Sequence, residues 1–147
     1  MLNVNEAADV LSRELSKYGK SELSYPRSLF SGKPSGKANV SGFMNNIPYK
    51  VMMFEASNES GLPSISAQFS LNINGMGISE GQMAFWNSDN RFTKIYRQDE
   101  DEAFLVFDSF LPSTEEVNFY QSTAKIWSMA VSELRKLKSS CERRGIF

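Results

Sequence analysis

Apolar residues recur along this chain at helical spacing near both ends and at alternate positions through the middle. In residues 4–18, Ala7, Val10, Leu11, Leu15 and Tyr18 keep the three-and-four spacing that lines one face of a helix. Asn3 or Asn5 is placed to cap its start and Gly19 to stop it. Residues 20–36 contain Pro26, Gly32, Pro34 and Gly36 and read as a polar loop, with an edge segment at most around Ser28, Leu29 and Phe30. The stretch KANVSGFMNNIPYKVMMFEA reads as a hairpin turning at Asn45–Asn46, residue types that tolerate positive φ. Pro48 sits early in the second strand, where its missing N–H is tolerated. After a polar turn at 57–63, SISAQFSLNI alternates strictly, with Ile65, Ala67, Phe69, Leu71 and Ile73 on one side.

A short helix is predicted from Glu80 to Asn87, and a second hairpin follows, turning at Asp99, Glu100 and Asp101. Its second strand contains AFLVF, apolar on both alternating faces, which predicts a central strand covered on both sides. From Thr114 to about Lys138, Val117, Tyr120, Ala124, Trp127, Val131 and Leu134 form a long helical stripe. Phe119, Ile126, Ala130 and Leu137 form a second stripe beside it. The expected order is α-β-β-β-α-β-β-α: an α+β fold with an antiparallel sheet of about five strands packed against N- and C-terminal helices. One domain over residues 1–147 is expected, with residues 139–147 as a frayed tail.

Composition narrows the chemistry. Sixteen Lys and Arg against seventeen Asp and Glu give a formal charge of −1, so no global field draws the chain to nucleic acid or to an anionic membrane. No apolar run approaches the ~20 residues of a membrane span, and the first residues lack the basic stretch of a signal peptide. The single Cys141 cannot close an internal disulfide or build a zinc site, in keeping with a cytoplasmic location. Histidine is absent, which removes the commonest general base and metal ligand together. Neither a metal nor a cofactor is expected.

Gly77-Ile78-Ser79-Glu80-Gly81 has the form of a hydrolase nucleophile elbow, but that device needs a histidine base. Ser79 followed by Gln82 reads better as a capping box, with Gly75 and Gly77 turning the chain from strand to helix. The same grammar places Ser113 and Glu116 as a second capping box behind Pro112. The acidic run QDEDE lacks the alternating ligands and glycine of a calcium loop and reads as a solvated hairpin tip. The cations of RKLKSSCERRGIF have no interleaved stacking aromatics, so they read as a complement to the helix dipole. Asn87 and Asn90 are expected to end the short helix and fix the start of the second hairpin.

Residues 80–138 resemble the YbjN family, described as bacterial sensory-transduction regulators. The resemblance is carried by Trp86, Asn87, Asn90, Arg91 and Phe92, the acidic turn at 99–101, Leu105, Phe107 and Trp127. The first half matches mainly in element order, and the polar loop at 20–36 departs from the family. Such proteins resemble type III secretion chaperones in fold, and the resemblance implies a non-enzymatic, protein-binding module, often dimeric.

The expected function is therefore that of a regulator or chaperone-like adaptor, acting through apolar contacts with a protein partner and as a homodimer. Phe119, Ile126, Ala130 and Leu137 are the expected contact residues, together with an uncovered sheet edge open to a partner strand. Two alternatives stand beside it. One is a small-ligand module with a pocket between helix and sheet near Trp86 and Trp127. The other is a histidine-free enzyme using two close acids, for example Asp108 with Glu116.

Overall fold

The computed structural model describes residues 2–24, 36–57, 63–114 and 116–147. Along them the order is α1 (Val4–Leu15), β1 (Ser21–Ser24), β2 (Lys37–Met44), β3 (Ile47–Ser57), β4 (Pro63–Asn72), α2 (Glu80–Asp89), β5 (Lys94–Arg97), β6 (Ala103–Pro112) and α3 (Val117–Arg143). The strands form one antiparallel sheet in the order β1-β2-β3-β4-β6-β5. The α+β class and the antiparallel sheet are as expected; the strand count is six, not five.

The extra strand is β1, inside the segment read as a loop. Ser-Glu-Leu-Ser shows no apolar alternation beyond Leu23, and hydroxyls hold it in place. Ser21 Oγ lies 2.6 Å from Ser12 Oγ and 2.7 Å from Ser16 Oγ. Ser16 Oγ also donates to the Ser12 carbonyl at 2.7 Å. Serine hydroxyls compete for backbone groups in this way, and α1 ends at Leu15, short of Gly19. Residues 25–35, including Ser28, Leu29 and Phe30, lie outside the described residues.

At the start of α1, Asn3 is the cap. Its Oδ1 accepts from the Glu6 amide at 2.8 Å, while the Glu6 carboxylate accepts from the Asn3 amide at 3.3 Å. The β2–β3 turn uses Asn45 and Asn46 at φ 54° and 64°, the left-handed pair that a two-residue hairpin loop requires.

Alternation divides the sheet into two faces. Val40, Val51, Phe69 and Phe107 form one cross-strand row of the inner face, and all are buried. Trp127 of α3 packs on this row: its ring centre is 5.3 Å from Phe69 and 6.2 Å from Tyr49, the latter edge-on. Buried Ala7, Ala8, Leu11 and Leu15 of α1 join the same core, and α1 also packs against α3.

β6 differs from its expectation. It is an interior strand, but Phe104 and Val106 on its outer side are half-buried and Phe110 is 72% exposed. Its inner residues Leu105 and Leu111 are buried with the helices. Among the described residues the helices thus cover one face only.

α3 is longer than predicted. It runs through Arg143 and closes with two reverse-turn bonds, Gly145 N–H to the Glu142 carbonyl (3.1 Å) and Ile146 N–H to the Cys141 carbonyl (2.8 Å). Gly145 at φ +74° makes this a Schellman ending, so residues 139–147 begin as ordered helix, not as a frayed tail.

Candidate functional site

Among the described residues, the face of the sheet opposite the helices carries several exposed apolar side chains. Antiparallel register lays its side chains out in cross-strand rows. At one end Lys37, Phe54, Ser66 and Phe110 stand side by side. The next row is Asn39, Met52, Gln68 and Asp108. Then come Ser41, Lys50, Ser70, Val106 and Lys94. At the far end Phe43 pairs with Pro48, and Phe104 with Tyr96. Phe43, Met52, Phe54, Tyr96 and Phe110 are all exposed. Apolar groups thus occupy both ends of the face, and amides, hydroxyls and a few charges fill its middle. Scattered exposed apolar residues are ordinary, but a face of this composition with no described helix over it has the make-up of an interaction surface.

A smaller patch lies at α3. Phe92, Ile126, Met129 and Ala130 line a groove of about 210 Å³ between α3 and the segment before β5, with Arg91 and Glu133 at its rim. Of the four residues expected to form an outer stripe, Phe119 is 54% exposed and Ile126 half-buried. Ala130 and Leu137 are instead buried in the chain's own core, at 9% and 4% exposure. The reason is that α3 packs on the sheet, α1 and α2, which widens its buried arc beyond one stripe.

The sheet edges are less open than expected. At the β5 end, the Asn87 side chain donates to the Ile95 carbonyl (3.0 Å) and accepts from the Ile95 amide (2.7 Å), taking the groups an incoming strand would use. Lys94 Nζ donates to the Asn87 and Asn90 carbonyls at 2.7 and 2.5 Å. β1 presents only four residues. Among the described residues the outer half of β6 also lacks a neighbouring strand, since β5 pairs with Ala103–Val106 alone.

Ser79 is a structural residue here. Its Oγ accepts from the Gln82 amide at 3.2 Å and the Gln82 side chain accepts from the Ser79 amide at 3.0 Å, a complete capping box. Gly75 and Gly77, at φ +82° and +70°, make the turn before it. Asn90 caps the other end of α2, its amide side chain donating to the Trp86 carbonyl at 3.1 Å. The second predicted box does not form: α3 is capped at Glu116 with no side-chain bond. β6 extends to Pro112, and Ser113 is buried with its carbonyl accepting from the Leu2 amide at 2.8 Å. The helix therefore starts later.

Trp86 and Trp127 are 2% and 0% exposed, and neither lines any of the four described cavities. The largest of these, about 520 Å³, lies between the 73–78 turn and the acidic hairpin. It is spanned by structural contacts: Arg97 pairs with Glu80 and donates to the Asp99 and Glu100 carbonyls. Asp108 and Glu116 are both exposed and line none of the four. Among the described residues there is no cluster of three or more Cys, Asp or Glu able to hold a metal, and no helix is long and apolar enough to cross a membrane.

The chain matches no family model, no curated protein and no solved structure.

Proposed function

We propose that this protein is a non-enzymatic protein-binding module, a regulator or chaperone-like adaptor, which acts by burying apolar surface against a protein partner. The observation that carries the reading is the uncovered sheet face, with Phe54 and Phe110 adjacent through Ser66 at one end and Phe43, Phe104 and Tyr96 at the other. Such a layout suits a partner that offers apolar side chains at two separated points and hydrogen-bonding groups between them. Self-association of two copies is assigned to the smaller patch of Phe92, Ile126 and Met129. Against the ligand-pocket alternative, both tryptophans are packed into the core and line none of the four described cavities.

Capture from a host lysate tests the reading when made with matched variants. Phe54→Ser with Phe110→Ser is expected to lose the partner that the wild type retains, while Lys136→Ser is expected to keep it. A double variant that folds and still captures the same protein contradicts the assignment. Light scattering over a range of concentrations tests the dimer, and Met129→Ser is expected to shift it toward monomer.

A further inference from the structure

Residues 144–147 fold back from the end of α3. The Schellman turn at Gly145 redirects the chain toward α2. There the Arg144 guanidinium stands 5.2 Å from the centre of the Phe85 ring, and Ile146 is half-buried against the core. Gly81, in the first turn of α2, lies directly under the Phe147 carbonyl: a Cβ built on Gly81 would meet that oxygen at 2.8 Å and Ile146 Cγ2 at 3.9 Å. Glycine within a helix is less stable than alanine, so this position carries a cost that the close approach explains. Cys141, whose carbonyl accepts from both the Arg144 and Ile146 amides, is fully buried beside the turn. Burial pushes its thiol pKa up, against the opposing charge of Arg144.

We infer that residues 144–147 are a strap closing the seam between α2 and α3, with Gly81 as its seat, and that the strap opens while the rest of the fold stays intact, uncovering Phe85 and Cys141. As a four-residue segment outside regular secondary structure it belongs to the low-stability end of the molecule, where local opening precedes global unfolding. The inference does not depend on the sheet-face assignment.

Cys141 is the only cysteine in the chain, so a thiol reagent reads the strap directly. Wild-type protein is expected to label faster than it unfolds globally, at a rate nearly independent of low denaturant. Gly81→Ala is expected to raise the labelling rate roughly tenfold with helix content unchanged. The sign is diagnostic, because without the strap the same substitution favours the helix and labelling stays level or slows. Ile146→Ala, which leaves the charge beside the thiol unchanged, is expected to raise the rate roughly threefold by loss of its contact with the core, and it decides the matter if Gly81→Ala does not fold. Labelling only at the global unfolding rate, or no acceleration in either folded variant, overturns the inference.

Discussion

Asn87 holds both backbone groups of Ile95 with one side chain, and so joins the last turn of α2 to the edge of the sheet. Replacing it with alanine leaves an amide and a carbonyl of a half-buried strand unpaired, at an expected cost of about 1–3 kcal/mol in urea unfolding. Asn87→Asp keeps the acceptor and is expected to fall between. A loss below ~0.5 kcal/mol for the alanine variant would place Asn87 among ordinary surface residues. The two core tyrosines differ in the same terms. Tyr120 donates to the Pro112 carbonyl at 2.9 Å, whereas the buried Tyr49 hydroxyl has no hydrogen-bond partner among the described residues. Tyr120→Phe is expected to cost about 1 kcal/mol and Tyr49→Phe nothing. Burial pushes both phenols up to about 12 from an ordinary 10.0. The unfolded chain therefore releases these protons first, and their contribution to stability, complete below pH 10, is lost as pH rises toward 12. Alkaline unfolding followed by tyrosinate absorbance tests this; no loss of stability across that window would contradict it.

At the scale of elements, capping separates what was legible from what was not. Ser79 and Gln82 announce α2 correctly because an isolated short helix has little else to start it. Ser113 and Glu116 carry the same spelling and fail, because β6 and the Leu2 amide claim the backbone there first. Ser79→Ala is thus expected to cost about 1 kcal/mol by thermal unfolding, and Glu116→Ala close to nothing. β1 was illegible for a related reason. Four residues held by serine hydroxyls of α1 leave no apolar period to read. In α3 the periodicity located the helix and its tryptophan, but could not tell a stripe facing solvent from one facing a second helix. Ala130 and Leu137 are buried in the chain's own core.

At the scale of the whole molecule, the one-sided sheet governs everything else. Strict alternation in β4 revealed its wet face directly, whereas the apolar pairs of β6 disguised the same face as buried. A strand apolar on both sides reads the same whether a helix or a future partner covers it. Stability separates the two faces: Phe69→Ala is expected to cost about 3–5 kcal/mol, and Phe110→Ser less than ~0.5 kcal/mol. Binding should reverse that ranking. The most direct measurement places a photoreactive phenylalanine analogue at position 110 in the protein's native host, with the same probe at exposed Lys136 as reference. Irradiation is predicted to give a covalent protein adduct from position 110 and none from 136. An intact, folded protein that forms no adduct from 110 would contradict the assignment of the open face as the binding surface.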